Sequence, residues 1–323
     1  MQKVVVFTTG GTIAMKPDPA GCGVVPAVSG ADLLEAVPGL KDLCNVEVRE
    51  FSNIPSCQMT PQRMLELACQ VARAQKEGDV QGVVITHGTD TIEESAYLLD
   101  TVLCDEKPVV FTAAMRAASD TSADGPANIA CAVRTALDDA ARGLGVVVVL
   151  NEQIHAAAEV TKTHAANPAA FASPWWGPLG YVDADRVIIA RRPAVRRHFC
   201  PPALGGEVYL LKMCAGCDAS VLDMLIERRA AGFVVEGFGR GNVPPLVQQA
   251  MLRAVRLGIP VVLTTRCGAG RPYYAYGYEG GGKIFHENGI IFAGDTSGPK
   301  ARLRLMLALG MTSDMQALHS FFD

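Results

Sequence analysis

VVVFTTGGTIA, residues 4–14, is the stretch from which the rest of the chain can be read. Val4 to Phe7 are apolar without alternation, so both faces of the segment favour burial, the pattern of a strand inside a parallel sheet. No polar turn follows. The run passes straight into Thr8-Thr9-Gly10-Gly11-Thr12, which sets hydroxyls at the carboxyl end of the strand, where open α/β sheets place their ligands. Two adjacent glycines let the backbone turn sharply and bring N–H groups close to a bound molecule. Taken alone, Gly-Gly after a strand is more often a tight turn than a catalytic loop.

Similar β-branched runs recur at 82–86, 108–112 and 146–150, with helical patterns between them. Thr60-Pro61 reads as an N-cap and a first-turn proline, opening a helix that stops at Gly78. Ile92, Ala96, Leu99 and Leu103 stand at helical spacing. The second half repeats the style, with strands at 207–213, 232–235 and 261–264. Helices are expected there at 219–230, 244–257, 299–309 and 313–322. This alternation predicts βαβ units and largely parallel, buried sheets. Between the halves, Arg191-Arg192-Pro193 through Arg196-Arg197-His198 to Pro201-Pro202 mixes proline and charge without periodicity, and reads as a solvated linker. The expected division is a domain at 1–190, a linker at 191–206 and a domain at 207–323, which a chain of 323 residues can support.

Composition excludes several function classes. Asp plus Glu number 33 against 29 Lys plus Arg, a net charge of -4, so no overall basic field exists to hold nucleic acid or an anionic membrane. No apolar run approaches the roughly 18 residues of a membrane span. The first residues lack the long apolar stretch and cleavage site of a secretory signal. The ten cysteines are therefore expected to be reduced thiols, mostly small apolar core fillers, in a cytoplasmic protein.

The run at 82–86 ends as the first one does, in Thr86-His87-Gly88-Thr89-Asp90-Thr91, directly ahead of a helix. Thr89 and Asp90 thus sit beside free N–H groups and a positive dipole end. Alone, they read equally well as a helix cap. Thr-Gly-Gly-Thr-Ile-Ala and His-Gly-Thr-Asp-Thr-Ile-Glu-Glu-Ser-Ala, taken together, resemble the two signatures of the bacterial-type L-asparaginase family. The resemblance continues through Ala114-Met115-Arg116, Ser122-Ala123-Asp124-Gly125-Pro126, Val160-Thr161-Lys162-Thr163 and Gly177-Pro178-Leu179-Gly180-Tyr181. It reaches Gly239-Arg240-Gly241-Asn242 and Pro299-Lys300-Ala301-Arg302, covering nearly the whole chain.

What the resemblance implies is specific. The fold would be two α/β domains, a larger N-terminal flavodoxin-like mixed sheet and a smaller C-terminal parallel sheet. The activity would be cofactor-free hydrolysis of L-asparagine to L-aspartate and ammonia, in asparagine catabolism, with side activity on glutamine. Thr12 matches the nucleophile that forms an acyl-enzyme ester. Thr89, Asp90 and Lys162 match a second group in which the lysine helps deprotonate a threonine, as so weak a nucleophile requires. Ser56 matches the holder of the substrate α-carboxylate, and Asp90 that of its α-ammonium. The N–H groups of Gly11 and Thr89 would face the oxyanion, and the Ala114 carbonyl the leaving amide. Asn242 matches a residue reaching into a partner's site, which implies a homodimer or homotetramer.

Three departures stand out. The loop at 15–29 carries no tyrosine where the family usually supplies one, and Tyr273, Tyr274, Tyr276 or Tyr278 is a candidate substitute. Cys57 replaces a glutamine that helps bind the ammonium, and a thiol is the weaker hydrogen-bond partner. Glu279 is the nearest acid to the family's second-loop glutamate, but its spacing is off. These changes keep open a glutaminase-leaning or broader amidase, and a catalytically weak amino-acid-binding relative. Cys214-Ala-Gly-Cys217 has no second ligand pair for zinc, and a redox role would place it in a first βα turn; two small residues at a strand end is the plainer reading. His87 reads as structural, and no metal site is expected.

Overall fold

The computed structural model describes residues 2–17, 21, 23–26, 29–193 and 196–323. The expectations for Cys22, the middle of the 15–29 loop and linker positions 194 and 195 lie outside the described residues. The chain divides into two compact units, Met1–His198 and Phe199–Asp323.

The first unit runs β1 (Lys3–Gly10), β2 (Met15–Pro17), β3 (Val24–Pro26), α1 (Gly30–Glu35), α2 (Leu40–Leu43), β4 (Asn45–Ile54) and α3 (Pro61–Gln75). There follow β5 (Val80–Thr86), α4 (Ile92–Val102), β6 (Val109–Thr112), α5 (Gly125–Leu137) and β7 (Val146–Leu150). The unit closes with β8 (Gln153–Ala156), β9 (Thr161–Lys162), β10 (Phe171–Ala172), β11 (Gly180–Asp183) and β12 (Arg186–Ile189). Eight strands form one sheet in the order β12-β11-β8-β7-β6-β5-β1-β4. The five from β4 to β7 are parallel, and β8, β11 and β12 extend the sheet antiparallel. This is the flavodoxin-like mixed sheet the resemblance implies.

Burial explains the strand signals. Seven of the eight residues of β1 are buried, and Val4 and Val6 join Ile129, Ala132, Val133 and Ala136 of α5 in one core layer. Helices α3 and α4 pack on each other and on the sheet. Thr60 caps α3 by accepting the Arg63 N–H at 3.3 Å, with Pro61 in the first turn, as the sequence predicts. The sequence reading misses β4, whose half-buried, charge-bearing NVEVREFSNI pattern belongs to a sheet edge rather than a buried run. The short strands β8, β11 and β12 are also missed.

The second unit runs β13 (Val208–Lys212), α6 (Ser220–Glu227), β14 (Gly232–Gly237), α7 (Pro245–Arg256), β15 (Val261–Thr265), α8 (Gly282–Glu287), β16 (Ile291–Phe292), α9 (Gly298–Leu309) and α10 (Met315–Ser320). Its four strands are all parallel, in the order β13-β14-β15-β16. Phe233, Val235, Leu263, Val247 and Phe285 anchor its core. Among the described residues, no helix is long and apolar enough to cross a membrane.

Two surface expectations are corrected. The arginines at 191–197 are not simply solvated: Arg191 is clamped to Glu159, Arg192 donates to the carbonyls of Arg142 and Ala140, and Arg196 bonds Asp100 at 3.2 Å. Their forked guanidinium groups find fixed carboxylates and carbonyls, which a linker reading by composition cannot see. The cysteines are not core fillers either. Of those described, only Cys44 is fully buried, while Cys57, Cys69, Cys104, Cys200, Cys214 and Cys267 are exposed.

Asp100 is the main anchor of the 196 segment. Burial pushes its carboxyl above the usual carboxylate range, while Arg196 and the Val146 N–H, 2.9 Å away, hold it back. Asp100→Ala leaves a guanidinium and an N–H without their acceptor. Chemical denaturation should show a loss of about 3 kcal/mol, and a smaller loss for Asp100→Asn.

Candidate active site

The sheet order fixes where a site can form. From β1 the chain crosses to β4 on one side, and from β5 it proceeds to β6 on the other. Adjacent parallel strands whose connections diverge leave a crevice at their carboxyl ends, the usual ligand position in open α/β sheets. Thr8 pairs with Thr86 across β1 and β5, so the turns bearing Thr12 and Thr89 leave the sheet side by side.

Those turns touch through backbone. Gly10 and Gly11 have φ of 100° and 85°, which a side chain rarely adopts. A Cβ added at Gly11 would lie 2.5 Å from Gly88 N and closer still to its Cα; one added at Gly88 would lie 2.5 Å from Ser56 Oγ. Thr12 opens a 3-10 turn, Thr12–Ala14, and is half-buried. Ser56 opens another, Ser56–Gln58, and is 5% exposed. Ser56 ties the two regions together. Its hydroxyl accepts the Asp90 N–H at 3.2 Å, and its carbonyl accepts the Thr91 hydroxyl at 2.8 Å.

Lys162 comes from β9, far along the chain, and meets the β5 turn. Its ammonium donates to Thr89 Oγ1 at 2.9 Å and to Asp90 Oδ1 at 2.8 Å. Thr89 is 6% exposed and the Lys162 side chain 19%, whereas the Asp90 carboxylate is 65% exposed and can face a ligand. The helix-cap reading of Thr89-Asp90 fails, because the residue preceding α4 is Thr91 and Asp90 is engaged by Lys162. Glu93, which the sequence reading does not single out, accepts the Lys162 backbone N–H at 2.7 Å. It sets the height at which the lysine enters.

One assignment needs correction. The Gly11 N–H donates to the Ile54 carbonyl at 3.1 Å, completing the pairing of β1 with the far end of β4, and is not available as an oxyanion donor. A 3-10 turn leaves its first N–H without an internal acceptor, so the Thr12 N–H is the open neighbour.

Ala114, two residues past the end of β6, is buried. Asp124, also missed from sequence, fixes its loop by accepting the N–H groups of Met115 and Arg116 at 3.0 and 2.9 Å. Cys57 is exposed in the Ser56 turn. His87 is wholly buried, as a structural residue should be, between the Gly88 carbonyl at 2.8 Å and Ser95 Oγ at 3.0 Å. The carbonyl can only accept, so Nδ1 carries the proton and Nε2 accepts from the serine.

Asn242, the four tyrosines and Glu279 belong to the second unit. Tyr273 stacks on Tyr274 at 4.5 Å under Arg240 and Arg271, while Tyr276 and Tyr278 are 41% and 55% exposed. Glu279 accepts from Gln249 at 3.3 Å. Asn242 Oδ1 is buried without a hydrogen-bond partner among the described residues. Among those residues, no group of three or more His, Cys, Asp or Glu side chains could hold a metal ion.

Residues 3–195 match the family model described as Asparaginase, N-terminal, and residues 207–322 match the Glutaminase/Asparaginase C-terminal domain. The chain belongs to the asparaginase family. L-asparaginase from Bacillus licheniformis is 36% identical over 308 residues, covering 95% of either chain. L-asparaginase 2 from Escherichia coli (strain K12) is 35% identical over 336 residues, covering 100% of this chain and 93% of that one. The crystal structure of a probable cytoplasmic L-asparaginase from Campylobacter jejuni has a TM-score of 0.90 and 32% identity, covering 100% of this chain and 99% of that one.

Two outcomes follow for this asparaginase-family site. Gly11→Ala must push the β1 turn off the β5 turn, and displacements of about 1 Å cost about 100-fold in rate, so kcat should drop about that far, and the side chain forced to positive φ should lower the thermal midpoint as well. Burial lowers the His87 pKa to about 4, below the ordinary 6.5. The unfolded chain therefore binds this proton first as pH falls, and stability present above pH 6.5 is lost toward pH 4, by up to about 1.4 kcal/mol per pH unit. Thermal midpoints measured over that window should decline, and His87→Gln should flatten the decline.

Proposed function

We propose that this chain hydrolyses the side-chain amide of L-asparagine to L-aspartate and ammonia through an ester on Thr12. The observation that carries the reading is the Lys162 ammonium seated between Thr89 Oγ1 and Asp90 Oδ1, at the crevice that Thr12 also borders. Family membership supports the same chemistry.

In this mechanism the Thr12 hydroxyl adds to the amide carbon and the carbonyl oxygen becomes an oxyanion. The N–H groups of Thr12 and Thr89 face it, and one such donor is worth about 3–4 kcal/mol in the transition state. The proton given up by the Thr12 hydroxyl passes to the amide nitrogen as the C–N bond breaks, and ammonia leaves with the Ala114 carbonyl as its hydrogen-bond acceptor. Water then cleaves the ester. Thr89, Lys162 and Asp90 act as the proton relay for that step, since a positive charge on its oxygen lowers the cost of deprotonating a hydroxyl. Ser56 Oγ, which accepts the Asp90 N–H, keeps its own proton to donate to the substrate α-carboxylate. The exposed Asp90 carboxylate pairs with the α-ammonium, and Cys57 lines the same turn.

Assembly as a homodimer or homotetramer is part of the proposal. Asn242, half-buried with its Oδ1 inside this chain, is the residue that the family resemblance puts forward as a contributor to a neighbouring subunit's site. Tyr276 and Tyr278 are the better candidates for the missing loop tyrosine, because Tyr273 and Tyr274 are held in an aromatic cluster with His286 and Phe292, whereas the two exposed rings touch only each other among the ring contacts of the described residues. A cytoplasmic location and the division at 191–206 belong to the same reading.

Ammonia release on asparagine and glutamine, side by side, tests the assignment; greater turnover of glutamine would favour the glutaminase-leaning alternative. Thr12→Ala should lower kcat at least about 1,000-fold, and substrate trapping followed by mass measurement should find the aspartyl ester on Thr12. Lys162→Met should lower kcat by about 100- to 10,000-fold, the span of general acid–base contributions that the proton relay would lose. Binding of asparagine without any ammonia would leave only the amino-acid-binding reading.

A further inference from the structure

Cys214-Ala-Gly-Cys217 occupies the turn between β13, the first strand of the second unit, and α6, its first helix. That is the first βα turn, the place in which a redox-active pair would be sought. The two Sγ atoms are 3.1 Å apart, and the Cys214 N–H points at Cys217 Sγ, 3.3 Å away. The Cys217 N–H donates to the Cys214 carbonyl at 3.2 Å. A turn closed three residues back brings its end Cα atoms within about 7 Å, close to the separation a disulfide spans. Both flanks are fixed: the Met213 N–H donates to the Glu236 carbonyl at 3.0 Å, and Asp218 accepts the Ser220 N–H at 3.0 Å. Joining the sulfurs therefore asks for side-chain rotation and no rearrangement of strand or helix.

Access and charge agree with this geometry. Cys214 is exposed and Cys217 half-buried, so one sulfur can meet a reagent while the other waits behind it. The Arg266 guanidinium donates to the Met213 carbonyl at 3.1 Å, placing a positive charge beside the turn. The thiol bond from Cys217 holds Cys214 above the ordinary thiol range, and Arg266 pulls the other way. A raised Cys214 thiol leaves less thiolate to attack, so exchange there quickens as pH rises, while exposure and the neighbouring sulfur favour closure once the mixed disulfide has formed.

We propose that Cys214 and Cys217 form a thiol–disulfide exchange site that closes to an intramolecular disulfide on meeting a low-molecular-weight disulfide. Cys214, having given up its proton, attacks one sulfur of the reagent; a mixed disulfide forms and one thiolate leaves. Cys217, having lost its own proton, attacks the Cys214 sulfur and expels the second thiolate. Two electrons pass from the protein dithiol to the reagent, and the two protons end on the two released thiols. The site is independent of the amide chemistry proposed for the first unit.

The full-length protein, treated with glutathione disulfide, then alkylated, digested and weighed, tests this. The segment containing Cys214 and Cys217 should lose two hydrogens and take up no alkyl group, and dithiothreitol should restore both thiols. The exposed Cys57, Cys69, Cys104, Cys200 and Cys267 should be alkylated or carry one glutathione each. Cys217→Ser should stop at a glutathione adduct on Cys214. Full alkylation of both cysteines, at a reagent concentration that modifies the exposed single ones, would overturn the proposal. So would a glutathione that persists on Cys214 of the unsubstituted protein, or a loss of two hydrogens at Cys214 in Cys217→Ser.

Discussion

Where the turn after β1 meets the turn after β5, backbone lies against backbone, and neither Gly11 nor Gly88 has room for one methyl group. Everything else in the candidate site is hung on that contact. It brings Thr12 and Thr89 to one crevice although each belongs to a different βα unit, and it presses Gly88 onto Ser56. Gly10 and Gly11 at φ of 100° and 85° make the approach possible, because only glycine visits that region without a steric cost. The Ile54 carbonyl then takes the Gly11 N–H, so the strand edge that holds the turn also decides which amides stay open to a substrate.

The charges are arranged for position rather than for stability. Asp90 is mostly exposed, and an ion pair with so exposed a member adds little to folding, about 0–1 kcal/mol. What the Lys162 contacts supply is a cation held on one particular hydroxyl. Glu93 contributes to that by fixing the lysine backbone, and Asp124 does the corresponding work for the loop after β6. Both carboxylates act on main-chain N–H groups, a role that leaves no distinctive sequence spacing.

The surface departs most from what composition leads one to expect. Arginines between the halves look like solvated linker residues, yet Arg191, Arg192 and Arg196 are each bound to fixed acceptors. Cysteines rank among the most buried residues in general, yet most of those described here are exposed. Residue type sets a tendency, and the neighbours that override it come from distant parts of the chain: Asp100 lies 96 positions from Arg196.

By itself, the sequence determined the buried parallel strands, because short β-branched runs such as Val146 to Leu150, bounded by turn residues, favour a strand buried on both faces, and it determined the start of α3, where Thr60-Pro61 is a local signal. It also marked Thr12, Thr89 and Asp90, through motifs whose glycines and hydroxyls stand at strand ends, whereas Lys162 was marked only by the family resemblance. Tertiary structure alone decided the order of the strands, the edge position of β4 and the capture of the Gly11 N–H, and it supplied the geometry of the Lys162–Thr89 contact that the resemblance only implied. It alone brought the Cys214 and Cys217 sulfurs to 3.1 Å. Burial and local capping are properties of a few consecutive residues, whereas hydrogen-bond partners are chosen in space, by groups that adjacency in the chain does not bring together.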